Sequence, residues 1–205
     1  MDFGSSIAQL GEVTAGGGFT LNNSDTSLTV GGAITTTDQA IDIDVGTGQY
    51  TQSTNIDVSA GTGAITIVAD AISLGANDGN NALTATGGVT LRPSSASQQV
   101  NLGSTSTATS AFNLSDAEID VINSATLTVG STSSANVVVS GTITPETATT
   151  LSVLSGNSIT DTATANLSVT NLRLEGGSVT LDSACLLYTS PSPRDVEESR
   201  MPSSA

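Results

Sequence analysis

No histidine, lysine or tryptophan occurs in this 205-residue chain. Without His, imidazole acid–base chemistry and His-ligated metal sites are excluded. The only cationic side chains are Arg92, Arg173, Arg194 and Arg200, against 19 Asp and Glu, for a formal net charge of -15. No basic surface can be built from so few cations, which excludes a nucleic-acid partner and a polybasic membrane anchor. The one cysteine, Cys185, gives no disulfide framework. No apolar run approaches the roughly 20 residues of a membrane span, so direct membrane insertion is not expected. The opening residues, MDFGSSIAQLGEVTAGGG, have neither the basic region nor the apolar stretch of a signal peptide. Aromatic residues make up 2% of the chain and charged ones 11%. A thick two-layer core normally uses more aromatics, so the composition favours thin β-structure built from β-branched residues and turn formers.

What the sequence has instead is a repeated triplet: apolar, small polar, apolar. Thr takes the middle place at Phe19-Thr20-Leu21, Leu28-Thr29-Val30, Ile65-Thr66-Ile67, Val89-Thr90-Leu91, Leu127-Thr128-Val129 and Val179-Thr180-Leu181. Asp, Asn, Ser or Arg takes it at Ile41-Asp42-Ile43-Asp44-Val45, Ile56-Asp57-Val58, Ile72-Ser73-Leu74, Val100-Asn101-Leu102, Phe112-Asn113-Leu114, Leu151-Ser152-Val153, Leu167-Ser168-Val169 and Leu172-Arg173-Leu174. Alternation with period two sends both apolar residues to one face, so each triplet predicts a strand with a single buried side. Inward positions are therefore Ile65, Ile67, Val89, Leu91, Leu127, Val129, Leu167 and Val169.

Turn formers separate the triplets: Gly31-Gly32, Gly46-Thr47-Gly48, Gly61-Thr62-Gly63, Asn77-Asp78-Gly79, Gly87-Gly88, Gly156-Asn157 and Gly176-Gly177. Short strands at such spacing permit a sandwich, a barrel or a solenoid. The strands are too many and too short for one sandwich. Ile41, Ile65 and Val89 recur at a lag of about 24 residues, which suits a coil of three strands and three corners. With coils stacked at the inter-strand spacing of about 4.8 Å, six or seven coils make a rod on the order of 30 Å long.

Ser115-Asp116-Ala117-Glu118 departs from the pattern. It is a capping box, and it predicts a short helix over 116–122, with a strand at Ile119-Asp120-Val121 as the alternative. The text changes again near Cys185. Residues 185–205 carry Pro191, Pro193 and Pro202 and no period-two pattern. The run Leu186 to Asp195 resembles translated sequencing-adaptor read-through of metagenomic reading frames. The expected organisation is a β-helical repeat segment over 1–184, an internal fragment of a longer protein, followed by a disordered, artefactual tail over 185–205.

Four segments in order carry a family resemblance: GTGAITIVADAISLG (61–75), TATGGVTLRPSSASQQVNLG (84–103), FNLSDAEIDVINSATLTVGS (112–131) and NLSVTNLRLEGGSVTLDS (166–183). Together they resemble the β-strand repeat regions of filamentous-haemagglutinin-like adhesins, bacterial exoproteins exported by two-partner secretion. The resemblance implies an all-β fold, a right-handed parallel β-helix. It further implies an extracellular or outer-membrane-associated location, and contacts with host or neighbouring-cell surfaces or with biofilm matrix polymers. It also implies an outer-membrane secretion partner acting through an N-terminal domain that this sequence does not display.

Chemistry-bearing patterns are sparse. Asp42/Asp44 and Asp116/Glu118/Asp120 pair carboxylates, and the first pair faces one way on a strand, an arrangement open to a divalent cation or to plain solvation. Gly75 to Asn80 resembles one turn of a calcium-binding β-roll, which needs consecutive copies to share its ions. Some β-helices are polysaccharide lyases or hydrolases, and a carboxylate-only hydrolase needs only two or three acids. Asp42, Asp57, Asp70 and Asp78 are nonetheless expected at turns or on outward strand faces. Thr-x-Thr pairs at Thr84/Thr86, Thr107/Thr109, Thr126/Thr128, Thr142/Thr144 and Thr162/Thr164 leave an ice-binding face as a third possibility. The reading adopted is a non-catalytic rod with no catalytic, cofactor-binding or metal-ligating residues, and with no cofactor.

Overall fold

In the computed structural model, residues 6–75 and 82–182 are described. They form a parallel β-solenoid of 23 short strands and one helix, in which strands pair with the matching strands of neighbouring coils, apart from one pair formed within a coil.

The first coil holds β1 (Gln9–Leu10), β2 (Val13–Ala15) and β3 (Phe19–Asn22). The second holds β4 (Leu28–Val30), β5 (Ile34–Thr36) and β6 (Ile41–Asp44). The third holds β7 (Gln49–Gln52), β8 (Val58–Gly61) and β9 (Ile65–Val68), and the fourth β10 (Ala71–Ser73), β11 (Leu83–Ala85) and β12 (Val89–Arg92). The fifth is longer: β13 (Val100–Leu102), β14 (Phe112–Leu114), helix α1 (Asp116–Asp120), β15 (Ile122–Asn123) and β16 (Thr126–Gly130). Then come β17 (Val137–Val139), β18 (Thr142–Ile143) and β19 (Thr150–Leu154). The seventh coil holds β20 (Ser158–Asp161), β21 (Asn166–Leu167) and β22 (Asn171–Glu175), and β23 (Ser178–Thr180) opens an eighth.

The structure thus has about eight turns where the triplets alone give six or seven. The strands passed over are those without the simple triplet. In β7 the inward pair is Tyr50 and Gln52, in β11 it includes Ala85, and β17 is an unbroken run of valines.

The third face is the most regular. Its seven strands stack in the order β22-β19-β16-β12-β9-β6-β3. The inward column Phe19, Ile41, Ile65, Val89, Leu127, Leu151 and Leu172 runs in unbroken register. From Ile41 to Leu151 these residues are at most 1% exposed. Thr66, Thr90 and Thr128 lie outward between them. At roughly 25 cal/mol per Å² of apolar area removed from water, stacking such columns is the main stabilising term. Leu167 is buried as expected, but Val169 lies beyond the end of β21 and is only half-buried.

The first face carries one extra strand. β14 packs on β10 and pairs with β13 in the register Val100↔Phe112 and Leu102↔Leu114, and β13 in turn pairs with β17. The chain therefore runs one strand ahead at β13, then doubles back through 103–111 to fill the gap with β14. On the second face, α1 contacts both β15 and β18 and occupies the matching layer. The capping box is formed: Ser115 accepts from the Glu118 amide, and Glu118 accepts from the Ser115 amide. The helix stops at Asp120, with Val121 as its C-cap, because Ile122 pairs as a strand with Leu83. The expected helix is present and shorter than 116–122.

Residues 76–81, which include most of the segment that resembles a β-roll turn and the turn formers Asn77-Asp78-Gly79, lie outside the described residues. So does the tail over 185–205, with Cys185, Arg194 and Arg200.

Candidate functional site

Two groups of carboxylates stand out. The first, half of those described, is tied to the backbone of a neighbouring coil. Asp25 Oδ1 accepts from the Thr47 amide at 2.8 Å, and Asp38 Oδ1 from the Thr62 amide at 2.9 Å. Asp70 accepts from the Ser94 and Ser95 amides at 3.0 and 2.7 Å, and from the Ser95 hydroxyl. Asp116 accepts from the Thr144 amide at 2.6 Å, Asp120 from the Glu146 amide at 3.3 Å, and Asp161 from the Asp182 amide at 3.0 Å. Each bond spans one turn of the solenoid. At corners the strand ladder is interrupted, and a side-chain acceptor satisfies an amide that would otherwise lack a partner.

Glu118 does the same work from the helix. One carboxylate oxygen accepts from the Leu74 amide of the preceding coil at 3.1 Å, while the other closes the capping box. Asp116 and Asp120 thus hold one connection, through the Thr144 and Glu146 amides, while Glu118 turns to the Leu74 amide of the preceding coil. Among the described residues, no three of His, Cys, Asp and Glu come together as a group that could hold a metal ion.

The second group faces an open trough of about 290 Å³ on the outer side of the third face. Period-two alternation puts Thr20, Asp42 and Thr66 in one outward column, by the register Thr20↔Asp42↔Thr66. Asn22, Asp44, Val68 and Arg92 form the next column. All seven residues line the trough. Asp44 Oδ1 accepts from the Gly46 amide at 2.8 Å, and Asn22 Oδ1 from the Ser24 amide at 3.1 Å. Asp42 and Arg92 have no side-chain hydrogen bond or ion pair among the described residues, where the one ion pair is the exposed Arg173–Glu175 contact.

Sequence reasoning placed Asp42 and Asp44 side by side and outward, and the structure does so. It did not bring Arg92 to them, because that juxtaposition depends on register between coils 48 residues apart in sequence. Asp70 sits at a corner, as expected from its surroundings. The Thr-x-Thr pairs are dispersed. Thr126 and Thr128 lie on the third face and Thr84 and Thr142 on the second, while Thr107 and Thr109 belong to the connection between β13 and β14.

A polar cluster that the sequence did not announce lies inside the rod. Tyr50 is fully buried and donates to Gln52 Oε1 at 3.2 Å, while Gln52 Nε2 donates to the Ile56 and Ala82 carbonyls at 2.6 and 2.8 Å. Burial pushes the Tyr50 hydroxyl far above the usual tyrosine range. The signal available was the alternation in Gln49-Tyr50-Thr51-Gln52, in which an inward Gln is masked by its polarity.

No protein-family model, curated protein or solved structure matches this chain.

Proposed function

We propose that this chain is a non-catalytic rod segment of a large secreted or surface-attached bacterial adhesin of the filamentous-haemagglutinin-like kind. The observation that carries the reading is the use made of the acids. Six aspartates across the length of the solenoid are held by backbone amides one coil away, as joints of a stack. A chain whose polar groups are spent on inter-coil bonding is built to hold length. Stacked coils bury a core only by adding neighbours, so such a rod extends by about 4.8 Å per coil. Its work would be to set a binding region away from the cell and to offer repetitive surface to host cells, neighbouring cells or matrix polymers. Export through an outer-membrane partner, and an extracellular location, belong to the same proposal.

The test is to display the segment on a bacterial surface between an anchor and a known binding tip, with and without residues 6–182. The longer form is expected to bind receptors recessed beneath a polymer layer that the shorter form cannot reach. Equal reach for both forms, or release of reducing ends or unsaturated products from any polysaccharide by the purified chain, would sink the reading.

A further inference from the structure

The trough on the third face contains two charges that the fold does not use. Along the outward column that includes Asp42, the other positions through coil six are Thr20, Thr66, Thr90, Thr128 and Ser152, all small hydroxyls. Asp is disfavoured in the middle of a strand. Here it is exposed and accepts no bond from a neighbouring coil, unlike the corner aspartates. Arg92 stands two strands away, one of only four cations in a chain of net charge -15, and no carboxylate among the described residues lies within ion-pair distance of it. Departures from local preference that bring no gain in stability mark functional positions.

The geometry points to a binding site for a neutral, hydroxyl-rich glycan chain lying along the solenoid axis. Asp42 accepts from sugar hydroxyls and Arg92 donates to them. Thr20 and Thr66 do both, so the trough offers alternating donors and acceptors over four coils. An anionic glycan would meet the repulsion of the whole chain. A cationic one would be drawn to acids everywhere on the rod, and its binding would fall with salt. A neutral chain is the ligand that this mixture selects. With no aromatic side chain lining the trough, one site is weak, and a polymer would be held by repeated contacts. The inference names the matrix polymer that the proposed rod would touch, and in that sense rests on that reading.

The experiment is an amide NMR titration of the full chain with cellohexaose, laminarihexaose, hexagalacturonate and chitosan hexamer, at low and high salt. Shifts are expected with a neutral hexamer, confined to residues 20–22, 42–44, 66–68 and 92, and equal at both salt concentrations. Asp42→Asn and Arg92→Gln are expected each to weaken that binding at least tenfold and to leave the melting temperature unchanged. Thr128→Ala, on the same face outside the trough, should change neither. The inference is overturned if neither neutral hexamer shifts these amides, if a charged hexamer binds in preference, or if both trough variants bind like wild type. Reducing ends are measured in the same tubes. Their appearance would overturn the rod reading and leave the site, whereas an inert protein that binds no glycan would overturn the site and leave the rod.

Discussion

The Asp38 carboxylate accepts a hydrogen bond from the Thr62 amide one coil further on, and it does so from a backbone in the left-handed region, at φ 56. Asp25, at φ 59, holds Thr47 in the same way at another corner. In both cases the residue before the donor is a glycine at φ 58, Gly46 or Gly61. A Cβ on Gly61 would sit 2.5 Å from Asp38 Oδ1. Aspartate and glycine are thus paired across coils: one tolerates positive φ and supplies the acceptor, and the other supplies positive φ and the room.

Replacing Asp38 therefore separates two effects. Asp38→Ala loses a charge-assisted acceptor and leaves a less suitable residue at positive φ, for a loss of roughly 1–2 kcal/mol. Asp38→Asn keeps both an acceptor oxygen and tolerance of positive φ, and should lose much less. Gly61→Ala should be at least as damaging as Asp38→Ala, because the new methyl group displaces the carboxylate and is strained itself. Urea unfolding of the three variants checks the order. Equal stability of Asp38→Ala and Asp38→Asn would show that the bond contributes nothing.

Tyr50 and Gln52 place a polar network within a column of aliphatic residues, and Tyr50 is level with Leu28 and Ile72 in the adjoining strands. Tyr50→Phe removes the donor to Gln52 Oε1 and should cost about 1–3 kcal/mol. A pH dependence follows as well. The hydroxyl is raised in the folded state, so its contribution is fully present below the unfolded tyrosine value of about 10 and is lost as pH rises beyond it. Wild type should lose stability more steeply than Tyr50→Phe above pH 10. Parallel slopes for the two proteins in alkaline urea melts would contradict the buried, protonated hydroxyl.

Much of this architecture is legible in the residues. The triplets identify the third face strand by strand, since one polar residue between two apolar ones leaves one choice of buried side. Capping-box chemistry marks α1 for the same local reason. Less is legible where an inward position is small or polar, as at Ala85 or Gln52, or where both sides are apolar, as in Val137–Val139. The trough was half legible. Adjacent Asp42 and Asp44 follow from period two, but Arg92 joins them through register between coils, which no local pattern encodes.

The surroundings of Asp120 oppose its ionisation. Desolvation, and then the charge of Asp116, raise its carboxyl above the usual range, with the Glu146 amide partly offsetting them. A carboxyl whose folded value is raised weakens the fold when ionised. That penalty is complete at neutral pH and is relieved as pH falls through the raised value. Asp120→Asn keeps an oxygen for the Glu146 amide and removes the charge. Its melting temperature should equal or exceed that of wild type at pH 7, and the advantage should vanish as pH is lowered toward the ordinary Asp value of about 4. A variant less stable than wild type at neutral pH would show that the charge itself is needed at the joint.

The extra strand on the first face explains the one large irregularity in the repeat. Val89 and Leu127 are neighbours in register 38 residues apart, whereas Ile41 and Ile65, Ile65 and Val89, and Leu127 and Leu151 are each 24 apart. Twelve residues separate Val100 from Phe112, its partner across β13 and β14. Removing residues 100–111 would join Gln99 to Phe112 and bring the long spacing close to that of the other coils. The shortened chain has the inward pair Phe112 and Leu114 in place of Val100 and Leu102, so β14 can pair with β17 where β13 did. We expect it to remain a β-solenoid with an unchanged far-ultraviolet spectrum. It should be less stable by several kcal/mol, because two fully buried side chains, each contributing about 1.5–3 kcal/mol, are lost. The layer opposite α1 is lost with them. Hydrogen exchange should then show the deficit first in α1 and β18, which meet across that layer. An unfolded product would mean that β13 is needed to align the two halves of the stack, and that the doubling-back of the chain at 103–111 is the joint on which coils six to eight depend.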